Sequence, residues 1–458
     1  MKTLIRGGLL ALPDGPRRMD LLVEGERIAA IGEALAGTGA EVCDAAGCTV
    51  LPGMIDTHTH FDLPVSGTVT ADDFASGTVA AILGGTTTVL DFATQDKGGT
   101  LREAYDTWRA RLDGRISCDA GLHMAITDWN ARTAAELDSM ESLGITSYKL
   151  YMAYPGLMVE DDAIYQALRR IRAVGGIAGF HCENGRLVLA LTEEVKAGGR
   201  LDAGGHALSR PPLVEAEAIA RLLRIARLAD VPVNIVHLSS REGLQAVRET
   251  RAPGQAVYVE TCPQYLLLDE RRLCRPDGAK YVCSPPLRGQ EDREALWEAL
   301  AAGEIFTVGT DHCSFNFAGQ KEAGRDDFTK IPNGLPGVEH RLALMMTEGV
   351  DKGRMGLPQL VRALAENPAR LFGLYPRKGV LAAGSDADLV VWDPSLAHSI
   401  TAPGQAQAVD YTPYEGFAVS GDVRDCWLRG ARVVADGALQ KALYGKYLRR
   451  NQPFAYKM

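Results

Sequence analysis

The chain has 458 residues, of which 46% are hydrophobic and 23% charged, and a net charge of −9. That length exceeds one small core and implies two or three units of ordinary globular composition. The acidic balance argues against a nucleic-acid partner, which needs a basic surface, and no apolar run is long enough to span a bilayer.

Residues 3–12 and 20–32 alternate apolar and polar positions around Pro13-Asp14-Gly15-Pro16, a hairpin pattern. Similar patterns recur late, in Leu389-Val390-Val391-Trp392 and from Cys426 to Val434. The two chain ends therefore read as parts of one small β-sandwich. Between them, strand-like runs are expected at Val50–Ile55, Thr86–Phe92, Asp119–Ile126, Ser147–Tyr151, Ile177–His181, Val233–His237, Val257–Thr261 and Ile305–Thr310. Helical spacing marks Asp162–Val174, Val214–Ala229 and Glu291–Ala302. This alternation predicts an α/β fold, a (β/α)8 TIM-like barrel, with a doubly wound sheet as the alternative. The expected organisation is 1–51 and 377–440 as the two parts of the sandwich, 52–376 as the barrel, and 441–458 as a C-terminal tail. Nine scattered cysteines, without a C-x-x-C pair, suit a reduced cytoplasmic setting.

In a barrel of this kind the active site lies at the C-terminal ends of the strands. Those ends bring His58 and His60 after the first strand and Lys149 in the fourth. His181 ends the fifth, His237 the sixth, and Asp311 follows the eighth. Residues two apart on a strand share a side, so His58 and His60 project together. Four imidazoles and a carboxylate suit zinc or a similar divalent ion. The count is too high for one tetrahedral catalytic site and suits two ions side by side. Lys149 fits poorly as an ammonium beside cations; as a carbamate it would offer an oxygen to each. Cys313, beside Asp311 and His312, reads as a small buried residue rather than a nucleophile.

Longer motifs carry a family resemblance over nearly the whole chain. They include Pro52 to His60, Gly84-Gly85-Thr86-Thr87-Thr88, Ser147 to Tyr154, His181-Cys182-Glu183-Asn184 and His206 to Pro212. Glu260 to Leu266, Cys283 to Arg288, Gly309 to Cys313 and Pro332 to Gly337 complete the set. The chain resembles the cyclic amidohydrolases, within them the D-hydantoinase/dihydropyrimidinase group. The resemblance implies two divalent ions per subunit, zinc being expected. His58, His60 and Asp311 would hold the buried ion, and His181 and His237 the more exposed one. Lys149, as N6-carboxylysine, would bridge them. Asp311 would shuttle the proton, Tyr154 would hydrogen-bond the developing oxyanion, and Ser284 and Asn333 would bind the substrate ring, largely through backbone groups.

The implied activity is hydrolysis of 5-monosubstituted hydantoins, with aryl-substituted ones as candidates, to N-carbamoyl amino acids. Dihydropyrimidine or allantoin ring opening are the alternatives within the group. A non-catalytic assembly protein is the alternative from another class, but all six ligand positions are present. Residues 61–72, 94–99 and 155–160 are expected to rim the pocket, with Phe61, Leu63, Val65, Leu157 and Met158 near the ring substituent and Phe315 and Phe317 as further candidates. By the same resemblance the assembly is a homotetramer, or a homodimer, with the tail crossing to a neighbour.

Overall fold

A computed structural model describes residues 2–65 and 67–452. Its centre is a ring of eight parallel strands in sequence order: β1 (Met54–Thr59), β2 (Thr86–Thr94), β3 (Asp119–Ala125), β4 (Ser147–Tyr151), β5 (Ile177–His181), β6 (Val233–Ile235), β7 (Val257–Thr261) and β8 (Thr307–Val308). The seam closes just past the last strand. Thr59 bridges His312 in parallel, and the His60 N–H donates to the His312 carbonyl at 2.8 Å. This is the TIM-type barrel, and the closure rules out the doubly wound sheet.

Helices cover the outside as their apolar stripes require. The longest runs Pro212–Ala229, opens on a proline whose fixed φ suits the first turn, and ends at Asp230 with φ +51°. Ile219, Leu222, Leu223 and Ala226 form its buried face. The helices Asp161–Ala173 and Gln290–Ala301 begin and end within a residue of the predicted limits.

The two chain ends meet in one continuous nine-stranded sheet. Thr49–Pro52 joins the halves, pairing in parallel with Leu9 and Leu10 and antiparallel with Leu389–Trp392. Ile5, Leu21 and Val23 from one end share a core with Leu389, Val391 and Trp427 from the other. Residues 20–32, expected as one strand, form two, because the chain turns at Gly25 with φ +60°. The predicted strand Val50–Ile55 is likewise two strands. Thr49–Pro52 belongs to the terminal sheet and Met54 opens the barrel. Gly53 makes the junction, where a Cβ would lie 2.1 Å from Thr87 Oγ1.

The first part of the tail, residues 441–452, packs on its own chain. They run along their own barrel, where Ala120 N–H donates to Lys446 O at 3.0 Å and Leu448 N–H to Ala120 O at 2.7 Å. The rest of the tail, 453–458, lies outside the described residues.

Candidate metal centre

The nine residues assigned metal, catalytic or ring-binding roles line one cleft at the C-terminal mouth of the barrel: His58, His60, Lys149, Tyr154, His181, His237, Ser284, Asp311 and Asn333. His58 and His60 converge on Asp311, with Nε2 atoms 3.1 and 3.2 Å from its Oδ1. These three form a group whose donor atoms lie close enough to share one cation. His181 Nδ1 and His237 Nε2 make a second pair, 3.0 Å apart. Lys149 lies on the floor near both groups, with Nζ 3.5 Å from His58 Nε2.

Carboxylates behind the rings decide which nitrogen faces the cleft. Glu260 Oε1 is 2.7 Å from His58 Nδ1, and Glu183 Oε2 is 2.7 Å from His181 Nε2. Each carboxylate takes the N–H, so the opposite nitrogen presents a lone pair. Burial pushes all three of His58, His181 and His237 below the usual imidazole range, which keeps them neutral and fit for metal binding. Burial alone would raise Asp311, but its contacts with the His58 and His60 rings and the nearby Lys149 amine outweigh it and hold the carboxyl below its usual range. His237 Nδ1 has no partner among the described residues.

Lys149 is buried, and burial pulls its amine down to about 8. Its nearest recorded polar contact is His58 Nε2, which itself offers a lone pair toward the cleft. A buried amine without a carboxylate contact is costly as an ammonium. The donor set thus fits divalent ions, with Lys149 the member whose chemistry has to change to join it.

The other wall carries polar groups for a small ring. Tyr154 faces Ser284 and Asn333, and burial raises its hydroxyl to about 12, so it remains a donor. Leu63, Val65 and Leu157 line the cleft with apolar surface. Four expected rim residues do not line it. Phe61 is buried, packing edge-on against Phe74; Phe315 is also buried; Met158 and Phe317 lie outside the lining. Aromatic side chains there serve the packing beneath the loops. Cys313 does line the cleft, but burial and the neighbouring Asp311 carboxylate push its thiol up, so it stays protonated and unreactive.

Several supporting residues had no assigned role from sequence. Glu260 is the penultimate residue of β7 and Glu183 follows His181 by two, so both lie near strand ends that a search for ligands alone passes over. Arg210 donates at 2.5 Å to Glu183 Oε2, the same oxygen that faces His181, and its guanidinium lies 5.2 Å from the centre of the Tyr154 ring. His312 Nε2 is 3.0 Å from Asp72, while its Nδ1 accepts from the Gly337 and Val338 amides. Tyr154, His237 and Asp311 all have positive φ, at +68°, +40° and +51°. Left-handed backbone at three non-glycine site residues has no local signature, and strain of this kind collects at functional sites.

The amidohydrolase family model matches residues 49–433. The chain belongs to the amidohydrolase family. A D-hydantoinase of Geobacillus stearothermophilus is 44% identical over 455 residues, covering 98% of this chain and 97% of that protein. A D-phenylhydantoinase of Escherichia coli is 40% identical over 458 residues, covering 99% of each. The crystal structure of a dihydropyrimidinase from Brevibacillus agri matches this amidohydrolase with a TM-score of 0.97 at 44% identity, covering 99% of both chains.

Proposed function

We infer that this amidohydrolase is a cyclic amidase of the D-hydantoinase type. It hydrolyses the ring amide of 5-monosubstituted hydantoins and releases N-carbamoyl amino acids. The observation that carries the reading is the convergence of His58, His60, Lys149, His181, His237 and Asp311 on one cleft, facing Tyr154, Ser284 and Asn333.

His58, His60 and Asp311 would hold one divalent ion and His181 and His237 the other, zinc being the expected metal. Lys149 joins as N6-carboxylysine: its neutral amine adds carbon dioxide, loses a proton, and gains two anionic oxygens. Bound ions of this kind lower the pKa of a water from about 15.7 toward 7 and polarise a carbonyl. Asp311 accepts the water's proton as the oxygen adds to the ring carbonyl, then returns it to the departing nitrogen as the C–N bond breaks. Tyr154 donates to the oxygen on which negative charge develops. Ser284 and Asn333 hold the imide so that the scissile carbonyl faces the ions.

The apolar lining of Leu63, Val65 and Leu157 suits a hydrophobic substituent on the ring. A dihydropyrimidine is the second reading, favoured by the likeness to the dihydropyrimidinase of B. agri. Dihydroorotate fits less well, since Arg210 beside the site is already paired with Glu183. The test is kcat/KM for 5-phenylhydantoin against dihydrouracil on metal-replete enzyme, with product chirality measured. Preference for dihydrouracil would overturn the hydantoin assignment, and two ions per chain with no ring opening at all would overturn the activity.

Leu187, Leu189, Leu201, Leu208 and Leu213 are exposed, an apolar character that supports self-association as a homotetramer or homodimer. Light scattering in solution tests it, and a monomer would refute it. All nine cysteines are free, which supports a cytoplasmic setting.

A further inference from the structure

Lys321 is a fully buried amine that the ring-opening chemistry leaves unused. It opens the short turn Lys321–Gly324. The titratable groups near it are the thiols of Cys283 and Cys313 and the imidazole of His206, and the Phe315 ring lies 6.0 Å away. Burying an amine without a carboxylate is expensive, and an apolar side chain would fill the same space at lower cost. The hydrogen bonds indicate why an amine stands there.

Lys321 Nζ donates to Val282 O at 2.9 Å and to Pro332 O at 3.0 Å. Val282 lies two residues before Ser284, and Pro332 immediately precedes Asn333. The same Val282 carbonyl also accepts from Gly334 N–H at 3.0 Å. One side chain therefore fastens together the two loops that carry Ser284 and Asn333 into the cleft. Pro332 O and Asn333 N–H belong to one peptide unit. A donor on the oxygen draws electron density from that amide and makes its N–H a stronger donor. Among the described residues the Asn333 N–H has no partner, and Asn333 lines the cleft. Either protonation state of the amine supplies the two N–H groups this needs.

We propose that Lys321 is a positioning residue for substrate binding: it sets the spacing of the Ser284 and Asn333 loops and polarises the Asn333 amide that holds the ring. This rests on the reading of the cleft as a cyclic-amide site. Lys321 touches neither the reacting carbonyl nor the ligand groups, so its effect falls on binding rather than on the chemical step.

The experiment is steady-state kinetics with 5-phenylhydantoin and dihydrouracil on metal-replete, full-length wild type, Lys321→Met and Lys321→Gln, with metal content measured for each. Lys321→Met, which keeps length and loses both donors, is expected to raise KM about fivefold to tenfold with kcat within about twofold and two ions retained. Lys321→Gln, which keeps an amide donor, is expected to raise KM about twofold to threefold, and it decides the matter if the Met variant does not fold. Unchanged KM, a loss confined to kcat, or loss of the ions would each overturn the role of Lys321. A wild type that opens neither ring would instead remove the cyclic-amide reading, and this proposal with it.

Discussion

Glu183 Oε2 stands 2.7 Å from His181 Nε2, on the side of the ring away from His237. That contact settles which nitrogen of His181 keeps its proton, and against the opposing effect of burial Arg210, on the same Oε2, holds the carboxylate ionised, so that Glu183 lies at about 2. Glu183→Gln removes the charge and lets an amide N–H face the ring, which favours the wrong tautomer. The variant is expected to bind its second ion about 10- to 100-fold more weakly and to lose activity in proportion. Metal titration followed by elemental analysis checks this. Two tightly held ions and wild-type kcat/KM in Glu183→Gln would show that the contact does not set the tautomer.

Lys149 gives the most direct test of the two-ion reading, because a plain amine cannot bridge cations. Lys149→Ala is expected to lose both metal occupancy and ring-opening activity. Intact mass measurement of the wild type under native conditions should show one added carbon dioxide, lost on acid treatment. Near-full activity with two ions per chain in Lys149→Ala would eliminate the bridge.

Much of this was legible in the sequence, for a definite reason. The proposed metal ligands sit at strand ends, and strand ends are marked where β-branched runs stop, so His58, His181 and Asp311 could be placed by counting strands. The barrel followed from the same alternation of period. Legibility failed where geometry depends on partners distant in sequence. Glu260 reaches His58 across 202 positions, and Lys321 reaches Val282 across 39. The boundary at Gly53 was missed because an apolar run looks continuous whichever sheet its halves join. The rim was partly misread because Phe61 and Phe315 are apolar loop residues whose burial is set by packing beneath them. Local hydrophobicity cannot distinguish a side chain that lines a cleft from one that supports it.

Tyr154 is held with φ +68° between Arg210 and the cleft, an uncommon conformation for a bulky residue. In the proposed reaction its neutral hydroxyl would donate to the developing oxyanion. Tyr154→Phe deletes that donor and keeps the ring, so both ions should remain while kcat falls by on the order of 10²–10³. Rapid-quench or steady-state kinetics with metal analysis measures this. An unchanged kcat would assign Tyr154 to packing.

Glu215 predicts a pH dependence of stability that is independent of the metal ligands. It lies on the helix Pro212–Ala229, accepts from Ser239 N and Ser239 Oγ at 2.9 Å each, and contacts Ser240 Oγ. Burial raises its carboxyl from 4.5 to about 7, against the opposing pull of Arg288 and the serines. The folded state therefore holds the proton more tightly than the unfolded chain. The stabilisation this gives is fully present below the unfolded value of 4.5 and is lost as pH rises through about 7. Glu215→Gln keeps a neutral side chain of the same shape and removes the titration. The stability of wild type minus that of Glu215→Gln, from chemical denaturation at each pH, should fall by on the order of 2–3 kcal/mol across that window. Taking the difference cancels the pH dependence of the metal ions, which both proteins share. A flat difference would show that Glu215 is ionised in the folded protein throughout, with Arg288 and the serines outweighing its burial.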